Sequence, residues 1–246
     1  MHWYEKSFGK DYLKVYSHRN DELARKEVDA IIKVLDIKKD EYIMDLCCGS
    51  GRHSISLAQL GYRVLGVDLS EYLLKIARAR ARSQRIEKGW VEFKRHDMRS
   101  LPYHQLFDVV LNLFTSFGYF SDDKENFGVI MEISKVLKKN GRVLLDYLNP
   151  NHVRNNIVPF SYKRVDGLFV KESRWIENNT INKKIIIGDK YQWKTYTERV
   201  KLYTLDDFKA MFRAADLKIT KVYGSYSLEG YHKDTSPRIL ILGTKV

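Results

Sequence analysis

The chain has 246 residues and a formal net charge of +12, with 44% hydrophobic and 30% charged side chains. This length and composition allow a sizeable buried core and exclude an intrinsically disordered chain. No apolar run approaches the roughly 20 residues that span a bilayer, and no signal-peptide segment follows the first residues, so we expect a cytoplasmic protein with no membrane partner.

Helical and extended patterns alternate through the first 147 residues. A helix is predicted over residues 20–36, with Asn20 as its N-cap. Strands are then predicted at 42–46, 63–67, 91–94, 107–111 and 142–147, and helices at 52–60, 71–85 and 122–138. The last of these helices is expected to end at a C-cap pair, Asn140 and Gly141. Strands that alternate with helices indicate right-handed βαβ units and a parallel sheet covered on both faces.

The pattern changes after Pro150. Three extended runs, at 168–176, 181–187 and 196–203, are separated by turn signals and predict antiparallel hairpins. Thr204 and Asp207 then form a capping box, and a helix and two strands, at 217–223 and 238–244, follow. The sequence therefore predicts an α/β fold. Its Rossmann-like, doubly wound, mostly parallel sheet of seven strands is interrupted after strand five by an antiparallel β insert.

A glycine turn joins the first predicted strand to the next helix. Asp45 lies in the strand, and Gly49 and Gly51 let backbone amides at the helix start approach a ligand. Asp68 and Asp97 follow the next two strands. Three acidic side chains are therefore expected at the carboxyl edge of the sheet, where such folds bind ligands. A dinucleotide fingerprint needs a third glycine, and this chain has Ser54 there, which disfavours a dehydrogenase.

These motifs resemble those of the class I S-adenosylmethionine (SAM)-dependent methyltransferases, and the resemblance extends over nearly the whole chain. It is carried by residues 3–5, 11–13, 46–54, 66–70, 96–99 and 115–120. It implies a methyltransferase activity, SAM as cofactor and S-adenosylhomocysteine (SAH) as product. One departure is Cys47, because the family usually has glycine there. We interpret Cys47 and its neighbour Cys48 as small buried residues, and expect a slightly altered turn that still binds the cofactor.

The resemblance also implies which residues bind the cofactor. Asp45 and the backbone of Gly49 and Gly51 would hold the methionine part, and Asp68 the ribose hydroxyls. The other implied members are Leu69, Asp97 and Met98 beside the adenine, Asn112 and Leu113 at the methionine amino group, Cys47 in the turn, and Tyr4 and Tyr16 from a segment that folds over the cofactor.

The transferred methyl group of SAM is already activated, so the enzyme must align the acceptor and exclude water. Aromatic faces suit a cationic sulfonium, which makes Tyr12, Phe117 and Tyr119 candidate catalytic residues. His152 and His232 are candidate general bases, because they lie in segments expected to overhang the site. No His, Cys and Asp cluster has the spacing of metal ligands, so no metal is expected.

The acceptor is expected to be a small molecule methylated on nitrogen or oxygen. Residues 1–150 and 204–246 are predicted to form the SAM-binding domain, with residues 1–36 as a cap segment and first helix. Residues 151–203 are predicted to form an acceptor-binding lid, whose aromatic residues Trp175, Tyr191 and Trp193 line the pocket. Two alternatives stay open: an RNA or protein methyltransferase that docks through the basic surface, and a non-catalytic SAM-binding module. The sequence leaves the oligomeric state open.

Overall fold

The computed structural model describes residues 2–16 and 20–246, so Met1 and residues 17–19 of the predicted cap segment lie outside the described residues. The helices are α1 (Trp3–Ser7), α2 (Tyr12–Val15), α3 (Asp21–Leu35), α4 (Arg52–Gln59), α5 (Glu71–Ser83), α6 (Asp123–Val136), α7 (Pro150–Asn156) and α8 (Leu205–Ala214). The strands are β1 (Tyr42–Leu46), β2 (Arg63–Asp68), β3 (Val91–Arg95), β4 (Phe107–Asn112), β5 (Leu137–Leu148), β6 (Phe160–Val165), β7 (Leu168–Glu177), β8 (Thr180–Gly188), β9 (Trp193–Lys201), β10 (Leu217–Tyr223) and β11 (Arg238–Lys245).

Seven strands form the larger sheet, in the order β10-β11-β5-β4-β1-β2-β3. Strands β1 to β5 pair in parallel, whereas β11 runs antiparallel to both β5 and β10. From the central strand β1 the chain proceeds outward to β3 and then returns to β4 on the other side of β1. The carboxyl ends of these strands flank a topological switch point, where open α/β sheets bind ligands. This arrangement confirms the predicted fold class.

Helices cover both faces of the larger sheet. On one face, Ile133 of α6 and Phe208 of α8 pack in a cluster with Val110 of β4. On the other face, Ile31 of α3 packs in a cluster with Val109, the preceding residue of β4. Successive side chains of a strand point to opposite faces, so the unbroken apolar run in β4 reflects burial from both sides.

The predicted helix starts at Asn20 and Thr204 are confirmed by capping hydrogen bonds. The Asn20 side chain accepts from the Leu23 amide at 2.9 Å, and Thr204 forms the predicted capping box with Asp207. The predicted end of the fourth long helix is wrong. Helix α6 ends at Val136, and Asn140 and Gly141 lie inside β5, where Asn140 has a φ of 61° and the pairing register with β4 shifts. An Asn-Gly pair favours a left-handed backbone in either setting, so it did not distinguish a helix end from a bent strand.

The insert forms a second, antiparallel sheet in the order β6-β7-β8-β9. Asn178 and Asn179 make the β7–β8 turn with φ values of 47° and 54°, as a tight hairpin requires. Strand β6 and helix α7 were not predicted. Helix α7 begins at the end of β5, where the Asn149 side chain accepts from the Asn151 amide and Pro150 occupies the first turn. Among the helices of the described residues, none is both long and apolar enough to cross a membrane.

Candidate active site

A cavity of about 740 Å³ lies at the carboxyl edge of the larger sheet, within the size range of small-molecule sites. Its walls come from the turns after β1 to β4, from α1 and α2, and from β9 of the second sheet. Ten of the twelve predicted cofactor-binding residues line it: Tyr4, Tyr16, Asp45, Cys47, Gly49, Asp68, Leu69, Asp97, Met98 and Leu113. The other two, Gly51 and Asn112, lie outside the lining.

The turn after β1 is held against the end of β2 by Asp68. One carboxylate oxygen of Asp68 accepts from the Gly49 amide at 2.8 Å, and the other accepts from the Ser70 amide at 2.8 Å. Burial raises the pKa of Asp68 to about 6, although these amide hydrogen bonds favour the charged form. Each oxygen keeps a further lone pair, so the carboxylate remains able to accept from hydroxyl groups in the cavity.

Gly51 acts behind the cavity wall rather than on it. Its φ is 75°, and a Cβ at this position would lie 2.7 Å from the Phe93 ring of β3. Glycine therefore allows α4 to begin directly against the sheet, with its N-terminal amides near the cavity edge. Cys47 also has a positive φ, 64°, so the turn keeps a left-handed residue where the family usually has glycine. Burial raises the pKa of the Cys47 thiol, which disfavours a thiolate nucleophile.

Asp45 is almost completely buried at the end of β1. Its carboxylate accepts a hydrogen bond from the Ser54 hydroxyl at 2.5 Å. Ser54, which stands where a dinucleotide fingerprint has its third glycine, therefore stabilises the Asp45 carboxylate. Burial raises the pKa of Asp45, with the nearby His53 acting in the opposite direction. The His53 ring nitrogen lies 2.8 Å from the Glu27 carboxylate of α3, which ties the start of α4 to that helix.

Asp97 follows β3 and is bound by a single arginine. The Arg99 backbone amide and guanidinium both donate to it, with Nη2 at 2.7 Å, and the same guanidinium donates to Glu125 at 2.6 Å. Burial would raise the pKa of Asp97, but the Arg99 hydrogen bonds outweigh it and the pKa is lowered. Asp97 is therefore a fixed carboxylate at the cavity edge beside Met98.

The loop after β4 has a strained backbone, and hydrogen bonds to β5 stabilise it. Phe114 and Thr115 have φ values of 56° and 62°. The fully buried Asp146 of β5 accepts from the Phe114 amide at 2.9 Å, and its backbone carbonyl accepts from the Thr115 amide at 2.9 Å. Arg238 of β11 pairs with Asp146 and donates to the Thr115 hydroxyl at 2.9 Å.

This interaction between Asp146, Arg238 and the loop after β4 was not predicted from the sequence. Asp146 and Arg238 lie 92 positions apart and meet only because β5 and β11 are paired. In the sequence, Asp146 interrupts an apolar run near the end of β5 and Arg238 stands at the start of the apolar run of β11, but neither signal identifies the other residue as its partner. Arg238 also lines the cavity, as do Phe114 and Thr115.

The N-terminal segment closes the cavity with aromatic rings. The Trp3 indole donates to the Tyr119 carbonyl at 3.3 Å, and the Phe8 and Tyr119 rings stack with centroids 5.6 Å apart. Tyr12 lines the same wall. The Tyr16 hydroxyl donates to Glu198 of β9 at 2.6 Å, which links this segment to the second sheet. The structure thus places Tyr12, Tyr16 and Tyr119 in the lining of the same cavity.

Several other predicted residues are not brought to the cavity. Phe117 is fully buried in the core, where its ring packs against Tyr147 and Phe208. His152 lies in a separate groove between α7 and the second sheet, and His232 is exposed in the segment before β11. In their place, Glu198 and Val200 of β9 line the cavity.

The three insert aromatics predicted to line the pocket lie elsewhere. Trp175, Tyr191 and Trp193 have exposed fractions of 42%, 81% and 47%, and none lines the cavity. That prediction is wrong for Trp175 and Trp193 because the alternate residues of their strands face the cavity side, and it is wrong for Tyr191 because this residue lies in the β8–β9 turn.

The cavity residues fit a polar, partly aromatic cofactor. Tyr4 lines the cavity, and its buried hydroxyl has no hydrogen-bond partner among residues 2–16 and 20–246. An unsatisfied buried hydroxyl costs about 1–3 kcal/mol, which a polar ligand group would recover. Asp68 offers lone pairs to hydroxyls at the same cavity. Within residues 2–16 and 20–246, no group of three or more His, Cys, Asp or Glu side chains has the arrangement of a metal site.

Comparison with known proteins agrees with this geometry. Residues 43–141 match the family model described as a methyltransferase domain. The chain contains a methyltransferase domain. This match, together with the solved SAM-dependent methyltransferase described below, confirms the predicted resemblance to class I SAM-dependent methyltransferases and SAM as the cofactor.

Three similar proteins extend the comparison beyond the matched segment. A putative methyltransferase of a Geobacillus species is 25% identical over 218 residues, which cover 82% of this chain and 84% of that protein. The demethylmenaquinone methyltransferase of Lactobacillus johnsonii is 29% identical, over 72% of this chain and 71% of that one. The structure of a SAM-dependent methyltransferase from Clostridium acetobutylicum superposes with a TM-score of 0.81 at 21% identity, covering 95% of this chain and 96% of that one. The structural likeness covers 95% of this chain, so it extends over most of the second sheet as well as the first.

Proposed function

We propose that this SAM-dependent methyltransferase transfers a methyl group to nitrogen or oxygen of a small-molecule acceptor bound beneath the second sheet. The observation that carries the proposal is the shared cavity. One wall of the cavity is the carboxyl edge of β1 to β4, and the opposite wall includes Glu198 and Val200 of β9. A cytoplasmic location is part of this proposal.

The proposed cofactor end lies between β1 and β3. Asp68 would hold the ribose hydroxyls, and the Gly49 turn and Asp45 would hold the methionine part. Leu69 and Met98 would pack beside the adenine. The unpartnered Tyr4 hydroxyl supports this placement, because Tyr4 lines the same cavity and a polar ligand group would give its buried hydroxyl a hydrogen-bond partner.

The proposed acceptor end lies between the N-terminal segment and β9. Tyr12 and Tyr16 contribute aromatic walls, and Glu198 contributes a carboxylate that is fixed by the Tyr16 hydroxyl. Residues 151–203 would then act as the predicted lid, but through the inward residues of β9 rather than through the insert tryptophans. The similarity to a demethylmenaquinone methyltransferase supports a small-molecule acceptor.

The main chemical task of the chain is to position the acceptor against the methyl group of SAM. SAM, when bound, supplies a methyl group activated by its sulfonium. The aromatic rings of Tyr12 and Tyr119 provide faces that stabilise positive charge, and the N-terminal segment keeps water from the reacting atoms. Transfer to a neutral amine or hydroxyl also releases a proton, and Glu198 is the carboxylate placed to accept it.

A turnover screen tests this proposal. The purified chain is incubated with SAM and a panel of small amines, phenols and hydroquinones, and SAH release is measured. We expect at least one class of acceptor to give turnover above the SAM-only rate, and expect Asp68→Ala to abolish it. Turnover confined to RNA or protein acceptors would contradict the proposal. Tight SAH binding without turnover on any acceptor would favour a non-catalytic SAM-binding module.

A further inference from the structure

The outer face of the second sheet displays most of the exposed aromatic side chains of the molecule. Among the described residues, seven aromatic side chains are exposed: Tyr72, Trp90, Phe160, Tyr162, Trp175, Tyr191 and Trp193. Five of these seven belong to β6–β9 or to the β8–β9 turn. The concentration requires an explanation, because contiguous exposed apolar surface usually marks a binding site.

The pairing registers place four of these five rings on one face. Phe160, Tyr162, Trp175 and Trp193 stand opposite Ser173, Lys171, Asn182 and Gly188, respectively. The alternate residues point the other way, and Val170, Ile185 and Ile187 pack there against Val15 of α2. The aromatic face is therefore turned away from the N-terminal segment that closes the cavity.

Three rings on this face lie nearly parallel to one another. The Phe169 and Trp193 rings have centroids 6.4 Å apart and an interplanar angle of 17°. The Tyr162 and Phe169 rings have centroids 5.8 Å apart and an angle of 24°. Gly188 separates Phe169 from Trp193 in the sheet, and a Cβ there would lie 2.9 Å from a Trp193 ring atom. The missing side chain at Gly188 thus allows the two rings to approach across β8.

The same face is basic. Its exposed charged side chains are Arg164, Lys171, Glu177, Lys184 and Arg199, four cations against one carboxylate. The Arg164 guanidinium lies 5.4 Å from the Phe169 ring centroid, and the Lys171 ammonium lies 5.3 Å from that of Trp193. Cations and π-faces are therefore interleaved on one surface.

We propose that this outer face is a docking surface for single-stranded RNA. Exposed aromatic rings stack on bases of any sequence, and interleaved cations neutralise phosphates. Unpaired RNA presents splayed bases that rings on a β-sheet are able to contact, whereas a duplex keeps its bases stacked inside. A second copy of this chain is a poorer occupant, because two-fold pairing through this face would bring the four cations of each copy together.

The inference goes beyond the proposed function and does not depend on it. The face is built from residues outside the cavity lining, so RNA bound there is not placed as the methyl acceptor. The two sites occupy opposite sides of the second sheet.

Fluorescence anisotropy with a labelled 12-nucleotide single-stranded RNA, at about 0.15 M salt, tests the docking surface. We expect saturable binding that is at least fivefold weaker in Trp193→Ala, the size expected for loss of one stacked base. Trp90→Ala is the matched control, because Trp90 is 39% exposed but lies before β3. Lys171→Gln, compared with Lys88→Gln, tests the charge without removing a ring. Melting temperatures of all variants verify that the fold is intact.

Four outcomes would overturn the proposal. Equal affinity for duplex RNA or heparin would show a charge effect without base stacking. Equal loss in Trp193→Ala and Trp90→Ala would place the site elsewhere. A dimer in sedimentation experiments that Trp193→Ala dissociates would identify the face as a self-association surface. Binding to anionic phosphatidylserine vesicles but not to RNA would identify it as a lipid-binding surface.

Discussion

The Asp146 carboxylate of β5 accepts a hydrogen bond from the amide of Phe114, which lies in the loop after β4 and has a φ of 56°, at a distance of 2.9 Å. A positive φ is unfavourable for a phenylalanine. The contact shows how a buried charge stabilises a strained loop that lines the cavity. Arg238 neutralises this charge and reaches the same loop through Thr115.

Asp146→Asn is expected to destabilise the protein by about 3–5 kcal/mol, because it leaves the Arg238 guanidinium without its buried partner. Tyr226→Phe is the matched control, since the Tyr226 hydroxyl donates one hydrogen bond to the same carboxylate at 2.9 Å. That loss should cost about 1 kcal/mol. Denaturant unfolding measures both free energies. Equal, small effects would show that the ion pair does not hold the loop.

Gly51→Ala is expected to lower the free energy of unfolding by about 1–3 kcal/mol, since the new Cβ would collide with the Phe93 ring at a φ of 75°. Gly128→Ala in α6 is the control, because no heavy atom lies within 4 Å of the position of its Cβ. That change should stabilise the helix by up to about 1 kcal/mol. Thermal unfolding of the two variants should therefore shift in opposite directions. An unchanged melting temperature for Gly51→Ala would contradict close packing of α4 on β3.

The affinity for SAH is expected to fall as the pH decreases through about 6. Burial raises the pKa of Asp68 to about 6, and the proposed hydrogen bonds from ribose hydroxyls require the ionised carboxylate. A single protonation linked in this way weakens binding about tenfold at one pH unit below the pKa. Calorimetry between pH 5 and 7.5 measures the effect. Asp68→Asn should bind weakly at every pH, and a variant with the same pH profile as the wild type would exclude Asp68 as the titrating group.

Glu198→Gln tests the division between the cofactor and acceptor ends. With an acceptor found in the turnover screen, we expect a tenfold or greater loss of kcat/KM and less than a twofold change in SAH affinity. Glu177→Gln is the control, because Glu177 is an exposed carboxylate at the end of β7. A large loss of SAH affinity in Glu198→Gln would place β9 at the cofactor end instead.

Much of the fold could be predicted because its signals are local. The apolar strands, the caps at Asn20 and Thr204 and the switch in periodicity after Pro150 depend on near neighbours in the sequence. The cofactor turn could also be found, since Gly49 lies in the turn after β1 and Asp68 is the last residue of β2. Long-range pairs such as Asp146 and Arg238 could not, because their meeting depends on the register between β5 and β11.

The insert shows a second limit of prediction from the sequence, which concerns the orientation of its sheet. Its strands were visible as extended runs, but the sequence alone did not specify which face of the sheet turns toward the cavity. A shift of one residue exchanges the two faces, so Trp193 was assigned to the pocket when it lies on the outer surface. The inward residues Glu198 and Val200 alternate with it along β9.

Isothermal titration calorimetry of the wild-type chain with SAH and with NAD shows whether the cavity binds the methyl-transfer cofactor or a dinucleotide. We predict a one-to-one complex with SAH and no heat with NAD, because Ser54 stands where a pyrophosphate site requires glycine and its hydroxyl donates to Asp45 instead. Tight NAD binding without SAH binding would contradict the assignment of the cavity to SAM.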